Sequence, residues 1–171
     1  MDDRATIPLD AETKVAERPA DHESELRLWL RLLTCTTLIE GEVRRRLRDE
    51  FDVTLPRFDL MAQLDKAPNG MTLGELSQRM MVSNGNITAL VERLAEQGLI
   101  RRRPLPNDRR VQIVSLTPEG QKFFRGMARV NAVWVGEIFA GLSPKDIEAL
   151  MPLLAKTKQS ARKALNNGDA S

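Results

Sequence analysis

Residues 72 to 120 read TLGELSQRMMVSNGNITALVERLAEQGLIRRRPLPNDRRVQIVSLTPEG, and the order of local signals in this stretch decides the fold. Thr72 stands three residues before Glu75, the spacing at which the Thr hydroxyl accepts the Glu75 amide hydrogen while the carboxylate reaches back, so a short helix is predicted from Leu73 to Met80. Ser83 is the next N-cap, Val82 and Ile87 have hydrophobic-staple spacing, and Ile87, Leu90, Val91 and Leu94 form one apolar stripe at helical spacing. Gly98 ends that helix as a C-cap, so two short helices are joined by a turn over Met81 to Ser83. The periodicity then becomes strand-like, with Leu99 to Arg103, a turn-rich PLPNDRR, and VQIVSL with β-branched Val111, Ile113 and Val114, which predicts a hairpin with a long tip.

Helix, short turn, helix with a polar leading edge, then hairpin is the order of a winged helix-turn-helix. A recognition helix buries one stripe in its own domain and offers small polar side chains at its N-terminal end to base edges in the major groove. Ser83, Asn84, Asn86 and Thr88 supply hydroxyls and carboxamides there, Gly85 permits close approach, and Asn can pair bidentately with adenine. An ordinary capping cluster on a surface helix is the competing reading. From Leu99 to Arg110 five of twelve residues are arginine and only Asp108 is acidic. Arginine at the end of a protruding hairpin enters a narrow minor groove or grips phosphates, and a solvated charge run is the bland alternative. Arg110 is assigned the minor-groove contact, Arg109 the backbone, and Asp108 the orientation of the tip. Arg101, Arg102 and Arg103 alternate sides of a strand, so at most two share a face.

Outward from this stretch, the chain of 171 residues is about one domain long, with 42% hydrophobic residues for a core. No apolar run approaches the roughly 18 residues needed to cross a bilayer. The N-terminal stretch lacks the basic start and apolar heart of a signal peptide, so a cytoplasmic protein without a membrane partner is expected. One cysteine, Cys35, and one histidine, His22, exclude an internal disulfide, a Cys/His zinc site and the usual hydrolytic triads, so neither metal, cofactor nor enzyme activity is expected. Net charge is +2, yet residues 1 to 25 carry −5, which leaves +7 on the remainder and suits a polyanionic partner.

Four segments are expected: a flexible arm over 1–22, a dimerisation helix within 23–55, the winged helix-turn-helix lobe over 56–120, and C-terminal dimerisation helices over 121–171. Leu26, Leu30, Leu33, Ile39, Val43 and Leu47 mark one long helix from about Glu23 to Arg48, with a break in register near Gly41. Pro56 fits the first turn of a helix that ends before Pro68-Asn69-Gly70. Thr117-Pro118-Glu119 opens a helix running to about Ala140, and Ser143-Pro144-Lys145-Asp146 opens the last, in which Pro152 should either kink the helix or delay its start.

Residues 72 to 120, most strongly LVERLAEQGLIRR and NDRRVQIVSLTPEG, resemble the DNA-binding lobe of the MarR (multiple antibiotic resistance regulator) family, and the similarity in pattern extends over about Glu23 to Leu165. The resemblance implies a mainly α fold with a small β-hairpin wing and a helical dimerisation region, in which the first, fifth and sixth helices of two subunits interlock. It implies a homodimeric repressor on a pseudo-palindromic operator in double-stranded DNA, with Asn86 and Thr88 facing bases and Asp108 and Arg110 matching the wing's acidic orienter and minor-groove arginine. Ala89 departs from the pattern, since relatives often carry a basic or polar residue there.

The resemblance further implies release by a small molecule bound between the dimerisation helices and the lobe. Trp29 and Trp134, with Phe58 and Met61, fall in the segments that wall such a pocket, where they either stack on an aromatic effector or pack the core. Arg44, Arg45, Arg46, Arg48 and Arg57 cluster near its rim; Arg46 and Arg57 are the candidate partners for an aromatic carboxylate or the phosphates of its coenzyme A thioester, against a plain solvated face or contact with the DNA backbone. Two other readings stand beside this one. One is a protein-interaction module using the winged-helix surface; the other is redox sensing at Cys35, although the peroxide-sensing branch pairs its cysteine with tyrosines and this chain has none.

Overall fold

The computed structural model describes residues 24–105 and 108–168, with the side chains of all of these except 109 and 166–168. The expected N-terminal arm, His22 and the tip residues Pro106 and Asn107 lie outside the described residues. The fold is mostly helical with a small antiparallel sheet. Its elements are α1 (Ser24–Phe51), α2 (Leu55–Asp65), β1 (Met71–Thr72), α3 (Leu73–Met80), α4 (Asn84–Glu96), β2 (Ile100–Leu105), β3 (Asp108–Leu116), α5 (Pro118–Ile138) and α6 (Pro144–Gly168). Among the described residues no helix is long and apolar enough to cross a membrane.

The expected break near Gly41 is absent: α1 runs unbroken from Ser24 to Phe51. A lone glycine costs a helix only about 1 kcal/mol. One ion pair at one-turn spacing spans it, Glu40 with Arg44, and two more follow it along the helix, Glu42 with Arg46 at 2.6 Å and Asp49 with Arg45 at 2.9 Å. Helix α2 starts as expected, with Thr54 extended as N-cap and Pro56 in the first turn, where a missing amide hydrogen loses nothing. It buries Phe58, Leu60, Met61 and Leu64, and these join Leu76 of α3 and Ile87, Val91 and Leu94 of α4 in the core of the first of two compact units, which ends at Ala132.

Gly70 makes the turn from α2 into the sheet at φ +83°, where a Cβ would stand 2.5 Å from the carbonyl oxygen of Val114. This close approach seats β1, which pairs Met71 with Val114 and Thr72 with Ile113. The sheet order is β1-β3-β2, and β2 pairs with β3 from Ile100 opposite Leu116 to Leu105 opposite Asp108. The strands therefore extend into PLPNDRR further than expected, and the long tip is a correction: only residues 106–107 separate them. An irregularity between Pro104 and Leu105 lets the ladder continue past a residue that has no amide hydrogen to give, and β2 is an edge strand, where proline is tolerated.

At the base of the wing, Thr117 donates its amide to the Leu99 carbonyl at 3.0 Å, and its hydroxyl donates to the Gly98 carbonyl at 2.8 Å while accepting the Gly120 amide at 3.0 Å. Gly120 packs so closely that an added Cβ would lie 1.9 Å from the Leu99 oxygen.

The second unit begins at Val133 and comprises the end of α5 and all of α6. Ser143 and Asp146 cap α6 reciprocally, the Asp146 amide donating to the hydroxyl at 3.2 Å and the Ser143 amide to the carboxylate at 2.8 Å. That box fixes the start of the helix at Pro144, so Pro152 lies inside it and does not delay it. Proline there leaves the carbonyl of Glu148 without its usual partner one turn on.

Replacing Gly120 by alanine drives a methyl group into the Leu99 backbone, so Gly120→Ala should lower stability by about 2 kcal/mol or more, read from the urea midpoint.

Candidate nucleic-acid interface

The two short helices fold as the sequence dictates. Thr72 and Glu75 complete their reciprocal cap: the Glu75 amide donates to the Thr72 hydroxyl at 3.2 Å and the Thr72 amide to the Glu75 carboxylate at 2.7 Å. Helix α3 closes on Met81, which adopts the left-handed conformation at φ 55° and stands 85% exposed. The Ser77 hydroxyl donates to the Val82 carbonyl at 2.6 Å and holds the turn. Ser83 then caps α4, its hydroxyl accepting the Asn86 amide at 3.4 Å.

With Ile87, Val91 and Leu94 fully buried, the opposite side of α4 is left to solvent. Asn84 and Asn86 are exposed, and their carboxamides have no partner among the described residues. Thr88 is half-buried and its hydroxyl donates to the Asn84 carbonyl at 2.9 Å, so outward it offers lone pairs and a methyl group but no hydrogen. Gly85 is exposed, with nothing within 4 Å of an added Cβ, so the protein's own packing does not require a glycine there. The structure thus gathers Ser83, Asn84, Asn86 and Thr88 on the first turn and a half of one helix.

In the wing, Asp108 accepts the Arg110 amide at 3.0 Å, an Asx-type bond that braces the first residues of β3. Arg110 is exposed, and its guanidinium has no partner among the described residues; Arg109 lies between the two in β3. The other three wing arginines are engaged: Arg101 donates to Ser115 at 3.1 Å, Arg102 faces Glu92 at 4.0 Å, and Arg103 donates to the Asn69 carbonyl at 2.9 Å. Among the described residues no group of three His, Cys, Asp or Glu is placed to hold a metal.

The six residues offered for a ligand are dispersed in character. Met61 is fully buried, and Phe58 is buried with its ring 5.4 Å from that of Phe124. Trp29 is 56% exposed on α1, and Trp134 is buried in the second unit. Arg46 shares Glu42 with Arg45, and the two arginines hold the Glu42 carboxyl down at about 2, Arg45 contributing most. Arg57 borders a cavity of about 360 Å³ whose other walls include Phe51, Val53, Gln97, Leu99 and Phe123, a set that sequence spacing did not bring together. Cys35 is exposed.

A hairpin wing behind a polar recognition helix defines a winged helix-turn-helix protein. The MarR family model matches residues 53–111. A MarR family transcriptional regulator of Silicibacter pomeroyi is 30% identical, with 80% of this chain and 94% of that one covered at a TM-score of 0.69. A mutant MarR of E. coli complexed with operator DNA is 25% identical, with 78% and 95% covered at a TM-score of 0.69. The transcriptional activatory protein BadR of Rhodopseudomonas palustris is 28% identical over 166 residues, 94% of each chain. This chain belongs to the MarR family, and it is a transcriptional regulator, not an enzyme.

The cap of α3 has a pH signature. Bonds from the Thr72 backbone and then from its hydroxyl, with a smaller contribution from Arg79, hold the Glu75 carboxyl below its ordinary range. A carboxyl lowered by folding stabilises the fold above its unfolded pKa and loses that contribution as pH falls through the folded value. Glu75→Gln should therefore flatten the fall of the urea midpoint between neutral pH and about pH 3, while slightly lowering the midpoint at neutral pH.

Proposed function

We propose that this regulator is a repressor that binds a pseudo-palindromic operator as a homodimer and is released by a small aromatic acid or its coenzyme A thioester. The observation that carries the DNA reading is the pairing of a helix start with free carboxamides at Asn84 and Asn86 and a braced wing with a free guanidinium at Arg110. Asn86 is set to pair bidentately with adenine, and Thr88, with its hydrogen committed to Asn84, is set to accept from a base amino group or to meet a thymine methyl. Ser83 and Asn84 at the helix N-terminus suit a phosphate, as does Arg109. Arg110 enters the minor groove, where the potential is most negative. The E. coli relative complexed with operator DNA supports DNA binding by this fold.

Dimerisation rests on apolar surface that a monomer would leave in water. Helix α1 exposes Leu28, Trp29 and Leu38, and α6 exposes Met151, Leu153 and Leu165, each at 52% or more. Two copies that cover these faces present two recognition helices, which is what a two-fold operator requires. An effector that favours a spacing of the lobes unsuited to the operator must weaken DNA binding by the factor by which DNA weakens its own.

The test is a mobility shift on the DNA upstream of the chain's own gene against a scrambled duplex, at low and moderate salt. One dimer per site, selective and weakened by salt, is the expected result, with Arg110→Ala about tenfold or more weaker. Unchanged affinity in that variant would remove the wing assignment, and binding to neither duplex by a folded dimer would leave the winged helix as a protein-interaction surface. Because one relative is named as activatory, the sign is read from a reporter: repression that aromatic acid lifts supports the proposal, and lost transcription on deletion refutes it.

A further inference from the structure

We infer that the pocket of about 300 Å³ beside Asn86 on α4, with Ala89 in its wall, receives the C5 methyl group of an operator thymine and makes Ala89 a specificity-determining residue. The inference rests on the reading of α4 as the base-contacting helix and deepens it from one base, the adenine at Asn86, to a step that includes a thymine.

The pocket is lined by Pro56, Val82, Asn86, Ala89, Leu90 and Arg93. Four of these, Asn86, Ala89, Leu90 and Arg93, stand at i, i+3, i+4 and i+7 along α4, the spacing that places side chains on one face of a helix. Because Ile87, Val91 and Leu94 take the buried stripe, Ala89 falls on the side turned away from the core, and it is exposed. Val82 and Leu90 are half-buried around it, and Pro56 of α2 adds a ring that has no amide hydrogen to offer. The polar side chains of the pocket are therefore Asn86 and Arg93, and the Arg93 guanidinium is exposed without a partner among the described residues. Gly85 precedes Ala89 by one turn and has open space where a Cβ would stand, so two neighbouring positions on this side project no more than a methyl group and let the helix come close to base edges.

The side chain of Ala89 neither donates nor accepts a hydrogen bond, so a base amino or carbonyl group pressed against it gives up water and gains nothing. On the major-groove edges of the four bases the thymine methyl is the apolar group, and it gains by leaving water for this wall. Spacing agrees with chemistry. Ala89 lies about 4.5 Å along the helix axis from Asn86, against about 3.4 Å per base pair, which sets the thymine one or two base pairs from the adenine. Arg93 lies about 10 Å from Asn86 on the same stripe, close to the roughly 12 Å width of the major groove, and so suits a phosphate at the groove wall.

The operator is located by footprinting the full chain on the upstream DNA, and each thymine of the protected half-sites is then replaced singly by deoxyuridine, which lacks only the C5 methyl. Mobility shifts should find one thymine per half-site at which deoxyuridine weakens binding about fourfold. Ala89→Gly, which removes the contact, and Ala89→Ser, which makes it polar, should bind the native operator more weakly by a similar factor and lose the deoxyuridine penalty, with the urea midpoint reporting that they are folded. Arg110→Ala should weaken both duplexes alike and keep the penalty, and Asn86→Ala should cost about tenfold. No penalty at any thymine, in a wild type that selects its operator and is weakened by Asn86→Ala, overturns the inference and leaves base contact by α4 standing. A penalty undiminished in both folded Ala89 variants places the methyl contact elsewhere and overturns the assignment. A changed oligomeric state in Ala89→Ser with DNA binding intact gives the pocket to a second copy and overturns it too. If the wild type selects no duplex, or folded Asn86→Ala binds the operator as the wild type does, the base-contact reading falls and the inference with it.

Discussion

The contact on which the rest depends is the seat of Gly120 against the Leu99 carbonyl. Leu99 follows the glycine that ends the recognition helix, and Gly120 lies in the first turn of α5, so this contact joins three elements at one point. Thr117 completes it with bonds to the Gly98 and Leu99 carbonyls and a cap on the Gly120 amide, so one threonine satisfies the carbonyls that follow α4 and an amide in the first turn of α5. The junction sets where β2 departs and β3 returns, and so where Arg110 stands. A looser junction would leave the polar start of α4 and the wing free to move independently, and a two-part grip on a duplex needs them held in one geometry.

Much of this frame was legible in the chain because its signals are local. Thr72 and Glu75, Ser83, Gly98, Thr117 and the Ser143–Asp146 box each act within a few residues, and each caps where its spacing implies. The errors are non-local. Strand β1 is two residues long, too short to show an alternation, and exists because Gly70 brings it against Val114. The wing's strands run through Pro104 and Arg110 because pairing across the hairpin outweighs the turn-forming residues, which sequence alone assigns to a loop. Gly41 looked like a break, and the ion pair that spans it, Glu40 with Arg44, involves an arginine first read as part of a ligand rim.

The candidate site divides in the same way. The polar face of α4 follows from its apolar stripe, because burying Ile87, Val91 and Leu94 fixes which side remains outside. The cavity at Arg57 was only partly visible: the arginine was singled out, but its neighbours come from α1, the end of α4 and α5, and Gln97 lies 40 residues away in sequence. Aromatic and sulfur side chains in the same helix, Phe58 and Met61, looked equally suited to a ligand and prove to be core. Position along a helix reports a face, whereas a pocket depends on where other helices end.

Charge makes a related point. A net +7 outside the acidic N-terminal stretch suggested a basic surface, yet most of the arginines that drew notice are neutralised within the chain. Arg44, Arg45 and Arg46 pair with acids on α1, and Arg101, Arg102 and Arg103 serve the lobe itself. Pairing of this kind contributes little stability at a surface, but it removes those cations from competition for phosphates. What remains for a partner is positional: Arg110 on the wing, and Arg57 with an unsatisfied nitrogen below it in the same lobe. Arg57 is held by the Gln97 side chain just before the junction at Leu99, and Arg110 stands on the strand that returns to that junction.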